Sequence, residues 1–208
     1  MPERSFFIDG MQYPVCARDT GTSIAFLFVF IYGMVLKRYR NAMIPDRYVL
    51  ILVLAGVALY AFDGASSYIG LRETTNALRL ASGLMMGAGL GLICVTLTSF
   101  VLLGKRNEAR TFTWRDIPIV YGMIAIIGLA IYLIGSGISF YYLVGALITV
   151  GYILLFFVLA GVFIALLRDL NYAERGKRYR LLAFSIVAEV GIFVILWGVH
   201  YYLGTTLP

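Results

Sequence analysis

Six long, continuous runs of apolar residues dominate this chain of 208 residues. Each run is long enough to cross the ~30 Å hydrocarbon core of a bilayer as a helix. Because the runs are continuous rather than alternating, they do not fit the strands of a membrane β-barrel, the other fold that satisfies its backbone in lipid. The sequence therefore predicts an all-α, polytopic bundle of six transmembrane helices, spanning about residues 20–36, 48–71, 78–103, 117–134, 138–167 and 181–203.

The composition agrees with a membrane protein. Hydrophobic residues make up 61% of the chain and charged residues 13%, whereas soluble domains have about 45–50% and about 25%. An ordinary soluble domain and a disordered chain are both excluded. Two cysteines are too few for a disulfide framework, and Cys94 lies deep in the third run, so no bridge to Cys16 is expected.

Positive charges are concentrated in the loops after the first, third and fifth runs, which hold 13 of the 17 Lys and Arg residues. The positive-inside rule makes these loops cytoplasmic and both termini external (N-out/C-out), in a multi-pass protein of the inner cell membrane. The basic residues are then a topology signal and a contact for anionic lipid, so no nucleic-acid partner is expected. The other four arginines fall on the outer side: Arg4, Arg18, Arg72 and Arg79.

A second group of polar residues surrounds the connection between the second and third helices. Asp63 lies within the second apolar run, where a carboxylate costs several kcal/mol unless it is paired, protonated or facing water. Arg72 or Arg79 is its obvious partner, and Thr74, Thr75 or Asn76 can cap helix three. Two interpretations stay open, an ion pair that staples the two helices or a polar site open to the outer side.

Four further features carry structural or functional hypotheses. Glu189 is the only acid in the sixth run, which makes it a candidate for proton coupling or a protonated, hydrogen-bonded acid. His200 lies at the end of the same run, as expected of an interfacial residue. Glycines at spacings of four in the third run predict a helix-packing face. Thr113 and Asp116 predict a capped start of helix four.

Residues 1–19 form an outer-side N-terminal segment ahead of a transmembrane domain of residues 20–208, and we expect the segment to fold back over the outer mouth of the bundle. Residues 2–6 read Pro-Glu-Arg-Ser-Phe and residues 14–18 read Pro-Val-Cys-Ala-Arg. Residues 70–79 read Gly-Leu-Arg-Glu-Thr-Thr-Asn-Ala-Leu-Arg. In these motifs the chain resembles a bacterial and archaeal family of predicted membrane proteins, domain-of-unknown-function family 2085.

The resemblance implies a metal-ligand set that this chain does not reproduce. The family's Cys-His and Cys-x-x-Cys motifs would supply four soft ligands for zinc or iron. Here Asp19 stands where the second cysteine of Cys-x-x-Cys is expected. The family's Cys-His-Gln would fall before Met1, so the chain either lacks it or begins at an internal methionine of a longer reading frame. No stable metal site is expected, with Cys16 and Asp19 as weak candidates, and the resemblance implies no activity or cofactor.

The leading functional hypothesis is an outer-facing polar pocket that binds or transports an anionic or amphiphilic small ligand, such as a lipid or isoprenoid head group. Arginine suits this role because its fork binds phosphate or carboxylate bidentately. A metal-assisted or redox membrane enzyme using Cys16 and Asp19 is the alternative, as is a structural subunit of a membrane complex. No catalytic residue is assigned, and a homo-oligomer is compatible with the sequence. The candidate ligand-binding residues are Arg4, Arg18, Asp63, Arg72, Glu73, Asn76 and Arg79.

Overall fold

The computed structural model describes residues 4–8, 11–13, 15–102, 107–133, 138–167, 186–187 and 190–191. Within this part of the chain the fold is helical, as predicted. The predicted sixth span lies almost wholly outside the described residues, although residues 186–187 and 190–191 are helical. The described ranges contain five long helices: α1 (Ala17–Val35), α2 (Arg47–Tyr68), α3 (Asn76–Leu102), α4 (Asp116–Leu133) and α5 (Ile138–Leu167).

Among the described residues, four helices are long and apolar enough to cross a membrane: Arg47–Tyr68, Asn76–Ser99, Asp116–Leu133 and Phe140–Ile164. The first helix, α1, is not among them, because charged and hydroxyl side chains in its first two turns make it less apolar. It begins at Ala17, three residues before the predicted boundary at residue 20. The outward-facing side chains of α2 and α4 are large and hydrophobic, as expected of helices that meet lipid.

The first helix is largely buried inside the bundle. It packs against α3 over much of its length and also against α5 and α4. Small residues permit this close approach: a Cβ on Gly83 would collide with the carbonyl oxygen of Arg18, and a Cβ on Gly87 with that of Thr22. The predicted glycine packing face of helix three is therefore observed, and its partner is α1.

Short strands pair at both ends of the bundle. At one end, β1 (Phe7–Ile8) and β2 (Met11–Gln12) form an antiparallel hairpin. Tyr13 follows the hairpin, is buried, and stacks on Tyr141 of α5 with ring centroids 4.8 Å apart. The N-terminal segment thus lies against the bundle.

At the other end, β3 (Asn41–Met43) pairs in parallel with β4 (Asn107–Arg110). This pairing joins the loop after α1 to the loop after α3. A 3-10 turn, Arg38–Arg40, precedes β3. Thr113 and Asp116 bond each other as the capping pattern predicts, since the Asp116 carboxylate accepts from the backbone N–H and the hydroxyl of Thr113 at 2.8 and 3.0 Å.

Candidate functional site

Charged residues, three of them buried, gather where α1 and α3 begin and α2 ends. Together with Ser82 we call this group the arginine cluster: Arg18, Asp63, Arg72, Arg79 and Ser82. Arg18 and Arg79 are each 8% exposed and Asp63 is 3% exposed, whereas the side chain of Arg72 is 42% exposed. The site is formed by α1, α2, α3 and the connection between α2 and α3, which meet at the same end of the bundle.

Asp63 is the centre of the cluster and makes four side-chain contacts. Its Oδ2 accepts hydrogen bonds from Nε and Nη2 of Arg18 at 3.1 and 2.5 Å and from the Ser82 hydroxyl at 3.2 Å. Its Oδ1 accepts from Nη2 of Arg72 at 3.1 Å. The carboxylate therefore links α1, α2 and α3, and these charge-assisted bonds satisfy a group that lipid would not tolerate alone.

The sequence predicts Arg72 or Arg79 as the partner of Asp63, and of these two only Arg72 contacts it. The main partner is Arg18. The sequence predicts Arg18 as a site residue but not its pairing with Asp63. Arg79 instead donates from Nε to the Thr74 hydroxyl at 2.7 Å and from Nη1 to the Asn76 side-chain oxygen at 3.4 Å. Arg79 lies on the first turn of α3, and its side chain turns back to the residues that precede and begin that helix.

Positive charge exceeds negative charge in the arginine cluster. Among the described residues, Asp63 is the one carboxylate whose oxygens lie within 4.0 Å of any of its three guanidinium groups. Nη2 of Arg79 and Nη1 of Arg18 make no hydrogen bond within this part of the chain. Neither nitrogen is a fully buried atom, so both are open to solvent, and free N–H donors of this kind can bind an anion.

The other predicted site residues lie around the cluster in different ways. Arg4 stands over the ring of Tyr68, 5.2 Å from its centroid. Asn76, besides accepting from Arg79, donates to the carbonyl oxygen of Ser5 at 3.3 Å, which ties the N-terminal segment to α3. Glu73 is exposed and forms no ion pair with the described residues.

Cys16 and Asp19 are in contact, but their chemistry does not favour a metal or a nucleophile. Cys16 caps α1, and its thiol donates to the Asp19 carboxylate at 3.0 Å. Burial, with this hydrogen bond, raises the pKa of the Cys16 thiol, so it is protonated at neutral pH, whereas the thiolate is the form that attacks or binds metal. In the described part of the chain no three His, Cys, Asp or Glu side chains form a metal-binding group.

Alkylation of Cys16 should therefore be slower at pH 8 than alkylation of an unperturbed thiol of pKa about 8.5. A raised pKa means that less thiolate is present at a given pH, so the rate should keep rising above the pH at which a free thiol levels off. Asp19→Asn removes a negative charge that raises this pKa and leaves a weaker, neutral acceptor, so it should speed labelling. Timed iodoacetamide labelling with mass spectrometry measures this, and Cys16→Ser reports labelling at the buried Cys94. Equal rates for the native protein and Asp19→Asn would contradict the assignment.

A second buried network occupies the opposite end of the bundle and was missed by sequence reasoning. Oδ1 of Asp116 accepts from the hydroxyl of Tyr32 at 2.9 Å and from Nη2 of Arg38 at 2.5 Å. The sequence identified Asp116 only as a capping residue. The helical spacing gave no sign that its second oxygen would reach α1 and the 3-10 turn. Glu189 and His200, the remaining candidates, lie outside the described residues.

Comparison with known proteins places the chain among archaeal relatives. Residues 1–93 match the family described as Predicted membrane protein (DUF2085). An uncharacterised protein of Methanocaldococcus jannaschii is 39% identical over 87 residues, which are 42% of this chain and 54% of that protein. An uncharacterised protein of Methanothermobacter thermautotrophicus is 33% identical over 104 residues, 49% of this chain and 86% of that protein. The match thus covers about half the length of the first relative. No solved structure matches.

Proposed function

Since the chain belongs to the family of predicted membrane proteins DUF2085, we propose that its arginine cluster binds an anionic small ligand at one end of a membrane-embedded bundle. The matched residues 1–93 contain every member of the cluster. The family supplies the membrane setting, and the side chains supply the chemistry. On the predicted topology, this end of the bundle faces the outside of the inner membrane.

The observation that carries the proposal is Arg79. The residue is 8% exposed, and its guanidinium is held in place by Thr74 and Asn76 and lacks a carboxylate partner in the described part of the chain. Arginine stays charged when it is buried. Two neutral oxygens orient the group without neutralising it, so an anion would complete its coordination.

The neighbouring arginines widen the site. Arg72 uses one nitrogen on Asp63 and has 42% of its side chain exposed, which leaves the rest of its fork available to a ligand. Arg18 uses two nitrogens on Asp63 and keeps Nη1 free within the described residues. A phosphate or carboxylate, which accepts paired N–H donors, matches this arrangement better than a halide.

Apolar side chains beside the cluster favour an amphiphilic ligand. Tyr68, Ile69 and Leu71 at the end of α2 are 68–77% exposed and lie between Asp63 and Arg79 in sequence. A lipid or isoprenoid phosphate would place its charge on the arginines and its chain on this surface. Glu189 is our candidate for coupling a proton to ligand movement, which would make the protein a transporter rather than a sensor.

Native mass spectrometry of the protein, released gently from its own membrane, tests the proposal. We expect a retained phosphate- or carboxylate-bearing molecule on the native chain and at least tenfold lower occupancy in Arg79→Gln, since charged hydrogen bonds contribute about 1.5–3 kcal/mol. Arg40→Gln removes the same charge from the opposite end and should keep the ligand. Equal occupancy in all three proteins would place the ligand elsewhere, and a bare native chain would argue against the site.

A structural role is the second candidate, and the contacts of Asp63 favour it. One carboxylate joins three helices through Arg18, Arg72 and Ser82. A subunit of a larger membrane complex would need such a staple without needing a ligand. Arg79 distinguishes the two candidate functions, because it does not contact Asp63. If the cluster only joins the helices, no retained ligand should depend on Arg79.

A further inference from the structure

A lipid-facing groove lies between the beginnings of α2 and α4, at the end of the bundle opposite the arginine cluster. Both helices pack against α3, and the space between them, about 510 Å³, is almost entirely apolar. Two aromatic side chains, Tyr48 and Trp114, stand at its helix-start end and are half exposed. The groove is lined by Tyr48, Ile51, Leu52, Trp114, Ile117 and Pro118.

An arginine is stacked on each of the two aromatic rings. The guanidinium carbon of Arg47 lies 5.0 Å from the ring centroid of Tyr48, and Nη2 of Arg47 donates to the Tyr48 hydroxyl at 3.1 Å. The guanidinium carbon of Arg115 lies 5.7 Å from the ring of Trp114. These contacts hold two cations at the head of the groove, each beside a side chain that lines it.

The acids nearest in sequence to these arginines are already engaged with other groups. Asp46 accepts from Nη1 of Arg110 at 2.7 Å and from the backbone N–H of Arg47 at 2.8 Å. Asp116 is buried and bonded to Arg38, Tyr32 and Thr113. Within the described residues, neither Arg47 nor Arg115 has a carboxylate within 4.0 Å. Two exposed positive charges thus stand uncompensated above an apolar channel.

We propose that this groove is a binding site for an anionic phospholipid, whose phosphate contacts Arg47 and Arg115 and whose acyl chain lies along Ile51, Leu52 and Ile117. The charge pattern selects the anionic lipid over a zwitterionic one. An anionic lipid brings a net negative charge to the two arginines, whereas the choline of a zwitterionic lipid carries a cation that cancels it. Tyr48 and Trp114 lie at the level that aromatic side chains prefer in membranes, between head groups and chains.

Quenching of Trp114 fluorescence by brominated lipid tests this site in the full-length protein. Trp197→Phe removes the other tryptophan. The protein is reconstituted in phosphatidylcholine vesicles containing 10% brominated phosphatidylglycerol or 10% brominated phosphatidylcholine with the same chains. We expect phosphatidylglycerol to bind beside Trp114 at least fivefold more tightly, because each arginine near a membrane surface contributes about 1 kcal/mol toward an anionic lipid. Equal quenching by the two lipids would overturn the proposal without any further variant.

Substitutions then locate the effect. Arg47→Gln with Arg115→Gln should abolish the preference, whereas Arg40→Gln, an exposed arginine at the same end that stacks on Tyr39 outside the groove, should keep it. Loss of preference in Arg40→Gln to the same extent would show a diffuse surface charge and overturn the site. Soluble glycerol 3-phosphate should not relieve quenching. Relief would show a phosphate site that does not need the groove, which also contradicts the proposal.

Discussion

Gly83→Ala is expected to destabilise the protein by about 3 kcal/mol, at the upper end of what overpacking costs. The added Cβ would collide with the carbonyl oxygen of Arg18. Backbone cannot rotate away as a side chain can, so α1 and α3 must separate and lose contacts on either side of the glycine. Gly87→Ala should behave alike, since its Cβ would meet the carbonyl of Thr22. Thermal unfolding in detergent should show a midpoint lower by about 6–12 °C for a chain of this length.

Two glycines with open space beside them serve as matched controls. A Cβ on Gly122 of α4 or on Gly145 of α5 would meet nothing within 4 Å in the described structure. Alanine favours a helix over glycine by about 1 kcal/mol, so these substitutions should leave the midpoint unchanged or raise it. If Gly83→Ala and Gly122→Ala shifted the midpoint equally, the close approach of α1 to α3 would be wrong.

Asp63→Leu is expected to cost about 3–5 kcal/mol, because removing one partner of a buried ion pair leaves the other charge uncompensated. Arg18 would keep its buried guanidinium with no carboxylate within reach in the described part of the chain. Ser82→Ala removes one hydroxyl hydrogen bond to the same carboxylate and leaves both arginine partners in place, so it should cost less, about 1.5 kcal/mol. Chemical or thermal unfolding of the three proteins in one detergent measures the difference.

Joining Asp63→Leu with Arg18→Met should recover much of the loss, since replacing both members of a buried pair with apolar residues is often neutral. The double-variant cycle isolates the coupling between the two side chains. Strong coupling in stability with unchanged ligand retention would make the pair purely structural. If Asp63→Leu alone left the stability unchanged, the carboxylate would neither join the helices nor form a stabilising buried ion pair with Arg18.

The helices were predictable because lipid imposes a strong rule on sequence. Continuous apolar runs fixed α2, α4 and α5 within three residues of their observed ends, since every backbone group in a bilayer must be bonded within its own helix. Gly83 and Gly87 also indicated a packing face, because residues four apart lie on one side of a helix. The spacing did not indicate which helix would pack against that face.

The partners of charged residues could not be predicted in the same way. Asp63 is 45 residues from Arg18 and 9 from Arg72, and sequence reasoning favoured the nearer cations in the adjoining connection. The choice depends on α1 lying beside α3, a tertiary fact that no local pattern contains. Asp116 shows the same limit, since its capping bond is local and predictable, whereas its bonds to Tyr32 and Arg38 cross about 80 residues.

The buried position of α1 affects how the protein is made. A ribosome releases α1 before any helix that will surround it, and Asn76 at the start of α3 follows Ala17 by about 60 residues. At a synthesis rate of 5–20 residues per second, the start of α3 is made about 3–12 s after Arg18, and α5 is made later still. During that interval the most polar helix of the bundle meets the insertion machinery with its ion-pair partner still unsynthesised. Membrane entry of this helix is therefore expected to await the arrival of Asp63, so that the first helix in sequence is not the first to settle in lipid.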